Sequence, residues 1–173
     1  MKIKSITTLF KKYYKLEEIT LEHEGKTFTR ERINKSDAVT AVVYNTITNK
    51  YLFVEQWRPA NLDSLVELVA GTLEKTEVPE ECMIREVEEE VGYKVDFIQK
   101  MINTFYMSPG CSNEQMTIFY CEVSEKINDG GGLKDENENI TIIELSEFEV
   151  MNKMEDGYFK DAKTLLGLIS NGF

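Results

Sequence analysis

The clearest pattern in the chain is the run Ala38–Tyr44, dense in β-branched residues, followed by a polar stretch and a returning strand pattern, Tyr51–Gln56. A dense β-branched run predicts a buried strand. The composition of Asn45–Lys50 predicts the turn that returns it. Upstream, Tyr13–Glu22 and Thr27–Ile33 alternate in part and flank Glu24-Gly25-Lys26, which predicts a hairpin. Downstream, Leu65–Ala70 is short and apolar, and Gly71 breaks it. Pro79 opens the strongest helical pattern, as proline does at a first helical position. Met83, Ile84, Val87 and Val91 share one side of that helix, and Gly92 stops it. Further strands are predicted over about Ile98–Tyr106, Met116–Val123 and Ile140–Leu145. Asp129–Asn139, glycine-rich and then acidic, reads as a loop. Ser146 with Glu149 three residues on is a capping-box signature for a helix to about Met154, and a last helix is expected over about Asp161–Ile169. Strands with one helix set among them, then helices, predict an α+β or layered α/β domain. Trp57 is placed in its core.

Composition narrows the possible functions. The chain has 173 residues, enough for one domain with a core that needs no disulfide or structural metal. Lys and Arg number 20 against 31 Asp and Glu, a net charge of −11, which counts against nonspecific nucleic-acid binding and docking on an anionic membrane. No apolar run reaches membrane-spanning length. The basic start lacks the apolar segment of a signal peptide. Cys82, Cys111 and Cys121 cannot all pair and show no CxxC spacing, so reduced thiols and a cytoplasmic location are expected. His23 is the only histidine, which excludes a multi-histidine metal site.

The acid is concentrated. Residues 74–90 hold eight Glu and two basic residues. Within the predicted helix, Glu86 and Glu90 stack four residues apart with Glu89 beside them, and like charges at that spacing destabilise a helix unless something neutralises them. One reading is a solvated face with an Arg85–Glu89 pair. The other is a cation site, because Leu68-Val69-Ala70-Gly71 precedes the helix and can bring main-chain carbonyls close. Carboxylates with a carbonyl are hard oxygen donors suited to Mg²⁺ or Mn²⁺, ions that share their coordination with phosphates.

Gly71, five residues, Glu77, seven residues, Arg85-Glu86-Val87, one residue, Glu89-Glu90, one residue, Gly92-Tyr93 meets every fixed position of the Nudix box. Tyr93 stands where an aliphatic residue is usual. The chain therefore resembles a Nudix hydrolase. The resemblance implies a mixed β-sheet sandwiched between helices over residues 37–173, with an N-terminal β-hairpin extension over 1–36. It also implies cleavage of a nucleoside diphosphate linked to another group. In that family Glu86, Glu90 and the Ala70 carbonyl would bind Mg²⁺, with Mn²⁺ possible, and Glu89 would assist. Arg85 and Glu77 would orient those carboxylates.

Glu55-Gln56-Trp57-Arg58-Pro59, Glu67-Leu68-Val69-Ala70-Gly71, and Pro109 within Ser108–Glu114 are similar to the ADP-ribose pyrophosphatase group. Gly130-Gly131-Gly132 and Asp161-Ala162-Lys163-Thr164 are shared by that group and its GDP-mannose and UDP-glucose relatives. The resemblance implies hydrolysis of ADP-ribose to AMP and ribose 5-phosphate, with a nucleotide sugar as the alternative substrate. A sensor that binds without cleaving is the non-enzymatic alternative, and the intact Glu86 and Glu90 argue against it. Glu138, with Glu136 as competitor, would be the base of the Asp135–Asn139 loop. Arg58, Glu67, Ser108, Gly110 and Glu114 would contact substrate. Phe28 or Arg30 would meet the nucleotide base from a hairpin that dimeric relatives exchange, so a homodimer is expected.

Overall fold

A computed structural model of the chain describes residues 1–133 and 139–173. Glu136 and Glu138, the expected bases, lie outside the described residues. The chain forms two compact units, residues 1–37 with 104–116, and residues 38–103 with 117–173.

The first unit is built on a three-stranded antiparallel sheet in the order β1 (Lys2–Lys11), β2 (Lys15–His23), β3 (Lys26–Asn34). The expected hairpin is β2–β3. At its tip Glu24 (φ 51°) and Gly25 (φ 76°) are both left-handed, as a two-residue loop between right-twisted strands requires. The sequence reading missed β1. Its register against β2 shifts between Ile3 and Ser5 and again between Thr8 and Phe10, and each shift reverses which residues share a face. Ile3 and Ile6, three apart, therefore lie opposite Leu21 and Ile19 on one face, with Phe28 and Arg30 beyond them. Glu17 is buried on that face, where it pairs with Lys15 and with Arg32 at 2.9 Å and accepts from the Asn34 amide at 3.1 Å. The Lys15 hydrogen bond, with those of Asn34 and Arg32, outweighs desolvation and lowers its carboxyl to about 2.

In the second unit the strands are β4 (Ala38–Asn45), β5 (Lys50–Arg58), β6 (Asp63–Glu67), β7 (Val69–Thr72), β8 (Tyr93–Tyr106, its last three residues belonging to the first unit), β9 (Gln115–Lys126, its first two residues belonging to the first unit) and β10 (Thr141–Leu145). The sheet runs β10-β5-β4-β9-β8, with β6 on β5 and β7 on β4. The helices are α1 (Pro79–Glu90), α2 (Glu147–Glu155) and α3 (Ala162–Ser170). Alternation along β4 and β5 divides the core into two layers. Val39, Ala41, Val43, Leu52 and Val54 pack with Cys82, Met83 and Val87 of α1. Val42 and Phe53 pack on the other side with Val150 of α2 and Leu168 of α3. The sheet is thus sandwiched between helices, which is why Ala38–Tyr44 is apolar on both faces save Thr40, whose buried hydroxyl donates to the Val69 carbonyl at 2.9 Å.

The Ser146 hydroxyl accepts from the Glu149 N–H at 3.4 Å and the Glu149 carboxylate accepts from the Ser146 N–H at 2.7 Å, so the capping box is present. Trp57 is a correction. It lies on the Phe53 face of β5 but past the helical cover, opposite Ser64, and is 57% exposed. No described helix is long and apolar enough to cross a membrane.

Candidate active site

The site forms where β7 turns into α1. Val78 caps the helix without a side-chain bond and Pro79 begins it. Its last turn carries Glu88, Glu89 and Glu90 with no basic residue, although a helix C-terminus is itself negative and disfavours acids. Two devices offset this.

The first is Arg85. Its Nε donates to Glu77 Oε1 at 3.0 Å, and Nη1 donates to Glu86 Oε1 at 2.7 Å and Glu89 Oε2 at 3.0 Å. One guanidinium therefore gathers three carboxylates. Hydrogen bonding to Glu77, with the charge of Glu86, holds Arg85 firmly protonated, and the Arg85 bond depresses Glu77 to about 2. The second device is the segment at residues 127–132. Gly131 N–H donates to the Glu90 carbonyl at 2.9 Å, Gly132 N–H to the Glu89 carbonyl at 3.1 Å, and the Asn128 amide to the Glu88 carbonyl at 3.2 Å. The fit requires two glycines back to back. A Cβ on Gly92 (φ 79°) would meet the Asn128 carbonyl at 2.3 Å, and one on Gly130 (φ 66°) would meet the Glu90 carbonyl at 2.8 Å.

Glu90 is buried, at 3% exposure. Its Oε2 accepts from the Ala70 N–H at 3.1 Å and its Oε1 from the Gln56 amide at 3.2 Å. Glu86 lies over Gly71, where a Cβ would come within 1.8 Å of its carboxylate. The absent side chain at 71 is what lets Glu86 rest on the β7 backbone beside Ala70. Among the described residues no three His, Cys, Asp or Glu side chains are grouped so as to hold a metal ion. Arg85 occupies the centre of the acidic group instead. The donors at this corner, Glu86, Glu90 and the main chain of Ala70, are hard oxygens cradled by Gly71, and their chemistry fits Mg²⁺ or Mn²⁺.

On the face of β5 that carries Gln56, Arg58 grips Glu67 through Nε at 2.6 Å and Nη2 at 2.8 Å. Lys163, itself buried, pairs with Glu67 and with Asp161 at 2.9 Å. Burial raises the Glu67 carboxyl, but the Arg58 bond and the Lys163 charge outweigh it and leave it lowered. Asp161 caps α3 by accepting from the Thr164 N–H at 3.0 Å, and the Thr164 hydroxyl accepts from Leu68 N–H at 3.0 Å. The Asp161–Thr164 motif is thus a helix cap tied to Glu67.

The remaining expected contacts lie in the first unit. Ser108, Pro109 and Gly110 form a turn whose Ser108 carbonyl accepts from Cys111 and Ser112 N–H at 3.0 and 2.9 Å. Glu114 is paired with Lys35 at 2.5 Å. The Arg30 guanidinium lies 4.9 Å from the centre of the Phe28 ring. Sequence reasoning assigned no role to Gln56, Asn128 or Lys163. Alternation with Arg58 along β5 was a signal for Gln56; Asn128 had none.

A NUDIX domain model matches residues 34–165. The chain is 34% identical over 143 residues to a GDP-mannose pyrophosphatase of Pectobacterium atrosepticum, covering 79% of this chain and 73% of that protein. It is 35% identical over 144 residues to the methanol dehydrogenase activator of Bacillus methanolicus, covering 83% and 76%. A GDP-mannose pyrophosphatase of Yersinia enterocolitica is 34% identical over 181 residues, with coverage of 96% and 93%. The crystal structure of an ADP compounds hydrolase superposes with a TM-score of 0.80 at 18% identity, over 98% of this chain and 90% of that one, and shares its fold. With the box of residues 71–93 assembled at the β7–α1 corner and the family match spanning most of the sequence, the chain belongs to the NUDIX domain family of hydrolases.

Proposed function

We propose that the protein is a divalent-metal-dependent pyrophosphatase that hydrolyses the diphosphate of ADP-ribose to AMP and ribose 5-phosphate. The observation that carries this reading is the acidic corner itself: Glu77, Glu86 and Glu89 gathered by Arg85, with Glu90 held beside Ala70. Glu86, Glu90 and the Ala70 carbonyl would hold Mg²⁺ or Mn²⁺, which supplies charge neutralisation of the diphosphate and a water acidified enough to attack phosphorus. Arg85 keeps the carboxylates in register, and Glu89 supports them. Glu138, or Glu136, takes the proton of the attacking water, since the one histidine lies far off in sequence at position 23. Arg58 and Glu67 form a fixed cation–anion pair on the β5 face that also carries Gln56, and Arg58 keeps Nη1 available for a phosphate oxygen. Ser108, Gly110 and Glu114 are assigned to the sugar, and Phe28 or Arg30 to the base. This part of the reading rests on the resemblance of those segments to the ADP-ribose pyrophosphatase group.

A nucleotide-sugar substrate is the second reading, favoured by relatives named GDP-mannose pyrophosphatase at 33–34% identity. A panel of ADP-ribose, GDP-mannose, UDP-glucose, a dinucleoside polyphosphate and NADH with Mg²⁺ decides between them. Preference for GDP-mannose or UDP-glucose overturns the first reading, and undiminished turnover in excess EDTA overturns the metal dependence.

The protein is further proposed to be a cytoplasmic homodimer. Ile3, Ile6, Leu9 and Phe10 of β1 are 47–61% exposed, more apolar surface than an isolated edge strand should leave to water. Sedimentation of a 20.0 kDa monomer at micromolar concentration counts against a dimer.

A further inference from the structure

We propose that Gln56 is a positioning residue for the hydrolysis, acting through Glu90. The inference rests on the metal-dependent reading above. Glu90 is fixed at both carboxylate oxygens, Oε2 by the Ala70 N–H and Oε1 by the Gln56 amide. The Ala70 tether is main chain and survives any substitution there. The Gln56 tether depends on one side chain. Gln56 is itself well placed to hold. It follows Val54, which is fully buried, and precedes Arg58, which Glu67 pins, along the same face of β5.

The type of side chain matters. A Lys or Arg at this position would neutralise Glu90 and compete with a cation for its oxygens. A Glu would repel it. A neutral amide donor sets the carboxylate's orientation and leaves its charge for the ion. Outer groups that orient metal-binding carboxylates commonly account for 10–100-fold in metal affinity.

The test is Mn²⁺ binding to the whole protein without substrate, followed by electron paramagnetic resonance of the free ion. Gln56→Met removes the donor at similar volume. Gln56→Asn keeps the amide but falls one methylene short. Both are expected to weaken Mn²⁺ binding at least about tenfold, with circular dichroism and metal-free melting unchanged. At saturating Mn²⁺, kcat falls and KM for the nucleotide stays within about twofold, because Gln56 acts through the ligand and not on the substrate. In a Glu90→Gln background, Gln56→Met should add no further loss of Mn²⁺ affinity. Wild-type affinity in both single variants overturns the proposal, as does a full further loss in the Glu90→Gln background. Failure of the wild-type protein to bind Mn²⁺ overturns the metal reading itself and this inference with it.

Discussion

Replacing Gly71 with Ala separates what the β7–α1 corner needs for folding from what it needs for chemistry. Residue 71 has no left-handed backbone, so alanine is conformationally acceptable there. Its Cβ, however, would stand 1.8 Å from both Cδ and Oε1 of Glu86, where ordinary contacts begin at 3.4 Å. The carboxylate must withdraw by about 2 Å. The atoms displaced are the end of a flexible side chain, so the folding cost is small. It includes the partly exposed Arg85–Glu86 pair at 2.7 Å, and pairs of that kind are worth about 0–1 kcal/mol. For a chain of this size that corresponds to a melting shift of at most about 4 °C. The functional cost is far larger, because a misplacement of about 1 Å in a reacting constellation already costs about a hundredfold. Gly71→Ala should therefore lower kcat/KM at least about a hundredfold and weaken Mn²⁺ binding, while melting within a few degrees of the wild type. Turnover can be followed with added alkaline phosphatase, which releases phosphate from the monoester products but not from the intact diphosphate. Wild-type kcat/KM would show that Glu86 is not needed where it lies. A melting loss of more than about 10 °C would show that Gly71 serves packing of β7 on α1 instead.

Other substitutions and conditions probe separate parts of the molecule. Glu67→Ala removes the anion between Arg58 and buried Lys163 and should destabilise by about 3–5 kcal/mol in urea unfolding; a loss below about 1 kcal/mol would contradict the buried network. Glu77 lies at about 2 when folded against an ordinary 4.5, so its contribution is complete above pH 4.5 and is lost as pH falls toward 2. Glu77→Gln should accordingly flatten the acid limb of stability between those values, and an unchanged limb in acid titration would refute the assignment. Cys82 and Cys121 are fully buried, with burial raising both thiols to about 12, while Cys111 is exposed. One thiol per chain should react with a disulfide reagent at pH 8, and peptide mapping should find it at Cys111. Labelling of Cys82 or Cys121 in the folded protein would contradict the packing of α1 and β9.

Elements governed by local rules were legible in the sequence. The β4 run, the Pro79 start and Gly92 stop of α1 and the Ser146–Glu149 box declare themselves because each depends on near neighbours. The acidic helix face was legible as well, since Glu86, Glu89 and Glu90 at helical spacing require a partner that Arg85 supplies. What was missed depends on distant chain. β1 has no steady alternation because two register shifts reverse its faces. β8 begins at Tyr93 and not near Ile98: Tyr93 and Val95 alternate with Lys94 and Asp96 and pack against the core, a short strand signal that directly follows the Gly92 helix stop. Trp57 lies past the end of the helical layer, and nothing in its neighbours marks where that layer ends. The Gln56–Glu90 bond joins residues 34 apart.

The cap on α1 has a consequence in the order of synthesis. Among the described residues, the carbonyls that end the helix, from Glu88 to Glu90, accept from Asn128, Gly131 and Gly132. At roughly 5–20 residues per second, about 2–8 s separate the emergence of Gly92 from that of Gly132. During that interval the carbonyls at the end of the helix bearing the acidic cluster lack the donors that cap them in the folded protein. A ribosome-bound chain that stops short of residue 127 therefore carries the whole Nudix box without a finished site. The cap beneath the acidic corner thus waits on two glycines made 38 residues apart, Gly92 and Gly130, which must come together to complete it.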